Sequence, residues 1–279
     1  MRVPAVFKNV VAFLCVEDNN RYAPIGTGFR IVVNEGDSVF SYVVTCRHVV
    51  QPLLDVREPI YVRLDRSDKS GVDYRPLADG WEFHADPTVD LAVLPHEPKG
   101  EPFEFAALEV DGILSDDVLQ VDPEAISVGD EAFFVGLFEP YYGYEKNVPI
   151  FRFGRLAMVT DEPIGTSGVY SERYLLEAQV YPWNSGSPVF MPFVGPDGQV
   201  VFQIVGVAAG FFPDRQREWI SADGPTRWMH MGISSVVPAG KIREIIYNES
   251  LSSARKNKIR AGRMEKAAES RSDDAGSTT

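Results

Sequence analysis

The sequence predicts an all-β protein, and three observations carry that prediction. Short runs rich in Val, Ile, Phe and Tyr alternate with clusters of Gly, Pro, Asp and Asn along most of the chain. Runs of strand length fall at 9–17, 27–34, 38–46, 59–65, 89–95, 131–138, 150–160, 173–180, 187–193, 199–210 and 228–235, which is the census of a sandwich or barrel. Helical periodicity is convincing once, from Pro238 to Leu251, where Ile242, Ile245 and Ile246 share a face flanked by Lys241, Arg243 and Glu244. A closing helix is expected there.

A length of 279 residues accommodates one large all-β domain or two small ones. The stretch from His96 to Gly129 carries Pro98, Pro102 and Pro123 among several acids and reads as the link between two similar halves. The expected division is residues 1–110, residues 111–251 and a tail, 252–279, that loses apolar periodicity and is expected to be disordered. That tail carries a net charge of +3 against −16 for the body, and reads as solvated rather than as a dock for an acidic partner.

With 44% apolar and 24% charged residues, the composition excludes a fibrous or wholly disordered chain. The net charge of −13 repels phosphate backbones, so nucleic acid is not expected as a partner, and a basic or neutral peptide would be tolerated better. Cys15 and Cys46 each sit in an apolar run, without the spacing of a disulfide framework or a metal knuckle. Both are expected to be reduced and buried, which suits a cytoplasmic protein. Arg2 and Lys8 followed by Val10–Val16 resemble the start of a leader. The run lacks a small-residue cleavage site, however, and goes straight into Glu17-Asp18-Asn19-Asn20, so a first strand and a turn are expected. No stretch reaches the roughly 20 apolar residues of a spanning helix, and no membrane partner is expected.

Three motifs carry chemistry. In Thr45-Cys46-Arg47-His48-Val49-Val50 a β-branched run ends in a histidine, which is expected at the end of a strand. In Val89-Asp90-Leu91-Ala92-Val93-Leu94 a lone acid opens an apolar strand, where it can be partly buried and still reach a partner. In Pro182-Trp183-Asn184-Ser185-Gly186-Ser187-Pro188 a polar turn between two strands carries a small hydroxyl at its apex. A serine hydroxyl needs a base within reach, histidine titrates near neutral pH, and the imidazole needs a carboxylate to fix its tautomer. His48, Asp90 and Ser185 can fill those roles, and their order in the chain differs from that of subtilisins and α/β-hydrolases. Cys46 reads as an inert thiol rather than a nucleophile. His84, His96 and His230 show no metal spacing, and Gly26 and Gly28 read as packing glycines rather than a phosphate loop. Trp81, Trp219 and Trp228 read as core or cleft-wall residues.

Gly26-Thr27-Gly28-Phe29, Thr45-Cys46-Arg47-His48-Val49-Val50, Asp90-Leu91-Ala92-Val93-Leu94 and Asn184-Ser185-Gly186-Ser187-Pro188 together resemble the trypsin-like serine peptidases, and the HtrA/Deg branch in particular. Glu177–Pro182, Ile204–Gly210 and Gly232–Ser235 extend the similarity, which spans residues 9 to about 247. The resemblance implies two packed antiparallel β-barrels with the active site between them, His48 and Asp90 coming from the first and Ser185 from the second. It implies an oxyanion hole built from the backbone N–H groups of Ser185 and Trp183. Trp183 departs from the family here, which usually has a glycine two residues before the nucleophile. Gln179 should lie at the base of the specificity pocket, with Ala208, Ala209 and Gly210 along one wall. No acid stands there, so a neutral, apolar substrate side chain is expected, with the loops 136–150 and 211–227 adding selectivity. The resemblance implies a protein or peptide substrate and no cofactor or metal. Asn184 beside the nucleophile and the absence of a cleavage motif argue against proteolytic maturation. No PDZ domain is expected, so a regulator is expected to act through loops, the tail or a separate protein partner.

Overall fold

Two antiparallel β units make up the body. The computed structural model describes residues 2–97, 103–104, 106–115, 118, 122, 124–160, 162–166, 168–195, 197–219 and 227–276, with side chains described except at 166, 213–230 and 265–276. The first unit contains β1 (Val11–Asp18), β2 (Arg21–Glu35), β3 (Ser38–Thr45), β4 (Tyr61–Arg66), β5 (Val72–Pro76), β6 (Glu82–Phe83), β7 (Ala92–Pro95), β8 (Phe103–Glu104) and β9 (Leu108–Glu109). Their order is β5-β4-β1-β2-β3-β7-β6, with β8 on β4 and a short parallel β9 on β2. The second unit holds β10 (Glu131–Gly136), β11 (Ile150–Met158), a small hairpin of β12 (Ile164–Thr166) and β13 (Val169–Ser171), β14 (Tyr174–Glu177), β15 (Ser187–Val194), β16 (Val200–Trp219) and β17 (Arg227–Pro238). It closes as a barrel in the order β10-β11-β14-β17-β16-β15. The side chains of Trp219 and Trp228 lie outside the described residues, while Trp81 packs in the core of the first unit.

The unbroken apolar runs are strands covered on both faces. Along β10, Phe133 and Val135 join the core that fills the first unit and the junction between units, whereas Ala132 and Phe134 point into the barrel. The alternation is that of a pleated strand, and no face is left for a polar residue. Phe7, in a 3₁₀ turn at Ala5–Asn9, inserts into this junction with its ring centroid 5.6 Å from Phe133, 4.7 Å from Phe190 and 5.4 Å from Phe202. The residues before β1 thus strap the barrel to the first unit.

Two buried polar residues fix the junction. Arg63 on β4 is 1% exposed and reaches into the loop after β10, donating from Nη2 to the carbonyls of Gly143 (2.8 Å) and Tyr144 (3.0 Å) and from Nη1 to Asn147 Oδ1. Asn147 answers by donating to the Arg63 carbonyl at 3.1 Å. The second is Thr27 on β2, which is fully buried. Its hydroxyl donates to the Trp183 carbonyl at 3.0 Å and accepts from the Leu137 N–H at 2.9 Å. Its own N–H donates to the Ser185 carbonyl at 3.0 Å, and its carbonyl accepts from Thr45 Oγ1 at 2.7 Å. One threonine therefore ties β2, β3, the end of β10 and the turn before β15 to each other.

The structure departs from the sequence reading in two places. The histidine expected at a strand end sits instead on a helix: β3 stops at Thr45, Cys46 is extended, and α1 (Arg47–Asp55) begins at once. Pro52 inside α1 masks the helix, because its missing N–H forfeits the bond to the His48 carbonyl. Near the C-terminus, the expected closing helix divides into α2 (Gly240–Ile246) and α3 (Glu249–Gly276), so helix continues past Ser252, where the tail was expected to start. Asn248 starts α3 by accepting the Leu251 N–H at 2.8 Å, as an N-cap does. Leu251, Arg255 and Ile259 then share one face, and Arg255, 2% exposed, pairs with Glu35 at 2.5 Å and donates to Tyr42 Oη at 2.9 Å. A charged residue read as solvated is the anchor of the helix.

Replacing the Thr27 hydroxyl by a methyl group, Thr27→Val, leaves the Leu137 N–H and the Trp183 carbonyl without that partner. Each buried group costs about 1–3 kcal/mol, so a loss of about 2–6 kcal/mol is expected in urea unfolding, with Thr27→Ser losing less. An unchanged midpoint in Thr27→Val would show that the junction does not depend on the hydroxyl.

His96 supplies a pH test. Burial, reinforced by the charge of Arg30, pushes its imidazole from the ordinary 6.5 down to about 4. A histidine held neutral by the fold contributes stability in full above its unfolded value, and that stability fades as pH falls from 6.5 towards 4. The melting temperature of the wild type is expected to fall more steeply over this window than that of His96→Gln. Parallel curves would count against the assignment.

Candidate active site

The chain brings His48, Asp90 and Ser185 to the wall of one cleft of about 1010 Å³. His48 enters from the first turn of α1, and Asp90 stands just before β7, so both come from the first unit. One carboxylate grips the same residue twice. Asp90 Oδ2 lies 2.6 Å from His48 Nδ1, and Asp90 Oδ1 accepts the His48 backbone N–H at 3.0 Å. The pair fixes both ring and main chain, and with Nδ1 donating, Nε2 is the ring's acceptor. Burial works to raise the Asp90 carboxyl, but the hydrogen bonds and charge of His48, with Arg173 behind, hold it below the ordinary carboxylate range. Ser185 lines the same cleft, and its Oγ makes no hydrogen bond to the imidazole.

The turn that carries Ser185 is determined residue by residue. Pro182–Asn184 form one 3₁₀ turn, and Asn184 pins it from inside, donating from Nδ2 to the Leu137 carbonyl at 2.6 Å and accepting the Tyr181 N–H at 3.0 Å. Gly186 has φ of +90°, and a Cβ there would stand 1.9 Å from the Thr27 carbonyl oxygen, so only glycine fits. Its N–H donates to the Ala208 carbonyl at 2.8 Å, which docks the turn on β16.

The expected oxyanion hole is not assembled. The Ser185 N–H donates to the Pro182 carbonyl at 3.3 Å, inside the 3₁₀ turn. Trp183 is not among the described residues with positive φ, so the turn keeps a right-handed conformation. The physical reason is the side chain: a glycine could reverse the peptide at this position cheaply, and tryptophan resists it. The Trp183 side chain is half-buried against the core, and its carbonyl is held by Thr27.

The pocket residues divide. Ala209 and Gly210 line the cleft, joined by Phe211 on the same strand and Ser235 on β17. Ala208 is fully buried behind the turn, and Gln179 is exposed beside Tyr181, whose hydroxyl donates to it at 3.4 Å; neither lines the cleft. Pairing with the turn pulls Ala208 inward, while Gln179 falls past the end of β14. Among the cleft residues that sequence reasoning missed are two arginines. Arg47 follows directly from its place beside His48, and its guanidinium lies 4.8 Å from the centroid of the Phe83 ring. Arg173 has no such signal, because it precedes an apolar strand like many surface arginines. Cys46 Sγ lies within 4.8 Å of donor atoms of His48 and Asp90. Burial, with the Asp90 charge, pushes this thiol well up, and it donates to the Ala208 carbonyl at 3.4 Å. It is therefore a neutral packing group, and neither a metal-binding thiolate nor a nucleophile.

Comparison with known proteins places this geometry. A sequence model described as the trypsin-like peptidase domain matches residues 26–200. No curated protein matched the chain. Among solved structures, the MamO protease domain from Magnetospirillum magneticum in its apo form is 18% identical, with 88% of this chain and 99% of that chain covered and a TM-score of 0.53. The Rv3671c protease of M. tuberculosis in its inactive form is 17% identical, with 87% of this chain and 89% of that one covered and a TM-score of 0.46. The likeness to the MamO domain supports the two-barrel fold. With the match covering residues 26–200 and all three motifs inside it, the chain belongs to the trypsin-like peptidase domain family.

Proposed function

We propose that the protein is a serine endopeptidase in which Ser185 is the nucleophile, His48 the general base and Asp90 the group that orients the base. The observation that carries this reading is the double grip of Asp90 on His48, which commits Nδ1 and leaves Nε2 basic in the cleft that Ser185 also lines. Ser185 Oγ attacks the peptide carbonyl as its proton passes to Nε2, and Asp90 stabilises the imidazolium. Collapse expels the amine, which takes that proton. Water then cleaves the ester, giving its proton to Nε2, and the hydroxyl is restored. Two free buried cysteines support an intracellular setting.

The resting turn gates this chemistry. Charge develops on the carbonyl oxygen, and the Ser185 N–H must leave the Pro182 carbonyl to meet it. Opening breaks one hydrogen bond, worth about 1 kcal/mol, and forces Trp183 towards a backbone conformation costing about 1–3 kcal/mol. Substrate or a partner protein supplies that energy in this reading. The same closed turn favours a second reading, a peptide-binding module without turnover.

A fluorophosphonate probe separates the two. The wild type is expected to be labelled, and Ser185→Ala is not. Because one oxyanion donor is worth about 10²–10³ in rate, Trp183→Gly is expected to raise the labelling rate at least about tenfold. If the folded wild type and Trp183→Gly both stay unlabelled, with or without cell lysate, the peptidase reading fails and the binding module stands.

A further inference from the structure

The wall of the cleft holds a buried cation, Arg173, that feels the charge of Asp90 while that carboxylate is hydrogen-bonded to His48. Arg173, between β13 and β14, is 6% exposed and lines the cavity with Thr88, Val169 and Phe211. Nε donates to Ser171 Oγ at 2.7 Å and Nη2 to the Thr88 carbonyl at 3.4 Å. A guanidinium has five N–H donors, so these two bonds leave three, both of those on Nη1 included, without an acceptor among the described residues. None of the ion pairs among the described residues involves Arg173. Its neighbour Glu172 is taken by Lys241 at 3.4 Å, and Asp90, the acid that lines the cleft, is committed to His48 at 2.6 Å.

Burying a charge is costly, and for Arg173 the field of Asp90 offsets that cost only in part, since burial still lowers its pKa, so the open N–H donors are where a ligand can complete the site. The other charged residue on the cleft wall is Arg47, also a cation. A chain of net charge −13 thus lines its main cavity with two arginines and one carboxylate that is already paired. The remaining walls mix the apolar Pro52, Pro87, Val169 and Phe211 with uncharged polar residues such as Gln51 and Ser235.

We propose that Arg173 is a specificity-determining residue that receives a carboxylate of the bound peptide, so that the cleft selects acidic segments. This rests on the peptide-binding cleft of the proposed function. It reverses the preference for basic or neutral peptides that the net charge of the whole chain suggests. An acidic side chain and a free C-terminal carboxylate carry the same chemistry, so the test separates them.

The wild type is given matched peptides with Glu or Gln at each position around the scissile bond, and a neutral parent with a free or amidated C-terminus. At one position Glu is expected to exceed Gln by about 10- to 100-fold in kcat/KM, the size of a buried charge-assisted contact. A C-terminal carboxylate as ligand would instead give that ratio between the free and amidated parents. Arg173→Gln collapses the ratio, and Arg173→Glu moves preference to Lys. A purely structural arginine would lower all rates together and leave the ratio intact. Equal rates for every acid and amide pair on the wild type overturn the proposal while leaving the peptidase reading in place. If no peptide is cleaved, the same pairs are measured by fluorescence anisotropy on Ser185→Ala. Tighter binding of the acidic member then sustains the carboxylate site as the peptidase reading falls, and equal binding overturns the site.

Discussion

The hydroxyl of Thr27 is the point on which the site depends. A two-unit fold with its chemistry at the junction must hold groups from separate sheets in register, and hydrophobic contact alone is not directional enough for that. Thr27 has no exposed surface and satisfies four polar groups from β3, the end of β10 and the turn before β15. The close approach it needs explains its neighbours. A Cβ at Gly26 would stand 2.8 Å from a Val49 methyl, and one at Gly186 would strike the Thr27 carbonyl. The small residues around Thr27 let the turn that carries Ser185 sit directly on β2, and through Val49 they bring α1, with His48, against the same place.

That closeness also shapes the closed turn, in which the Ser185 N–H meets the Pro182 carbonyl. Thr27 holds the Trp183 carbonyl from one side, and Asn184 pins the turn to Leu137 from the other, so freedom is left mainly in the peptides between Pro182 and Ser185. A glycine there would let the amide reorient at little cost. Tryptophan stabilises the right-handed turn and packs its ring against the core instead. The interactions that position Ser185 are thus compatible with two states of its N–H, and the identity of residue 183 biases the choice between them.

Much of this was legible in the sequence, and what was not has physical reasons. Each apolar run read as a strand contains one, because periodicity and turn residues are local signals. The missed strands β6, β8, β9, β12 and β13 are two or three residues long, too short for any period to show, and β5, five residues at the end of its sheet, offers only Val72 and Tyr74 between Asp73, Arg75 and Pro76. The helix α1 was hidden by Pro52, and α3 by Arg255, whose burial depends on Glu35 and Tyr42 far away in the chain. The motifs of His48, Asp90 and Ser185 were readable from order and residue type, and the structure brings the three residues to one cleft. The state of the Ser185 N–H was not, since it is decided by a peptide orientation. Ala208 and Gln179 were assigned to the pocket by analogy, and pairing of β16 with the turn and the end of β14 put them elsewhere.

Net charge and cleft charge point in opposite directions, and distance decides which governs recognition. At physiological ionic strength the Debye length is about 8 Å, so most of the acids behind the net charge of −13 are screened from a peptide seated in the cleft. Arg173 is not screened in the same way, because it is buried in the cleft wall and burial already lowers its pKa through lost hydration. A carboxylate arriving there replaces the missing solvation at contact distance. The acidic exterior still acts on encounter, where it slows the approach of strongly acidic chains. Under the proposed carboxylate site, the two effects select together for a segment whose negative charge is local, an isolated acid in an otherwise neutral stretch, rather than for a polyanion.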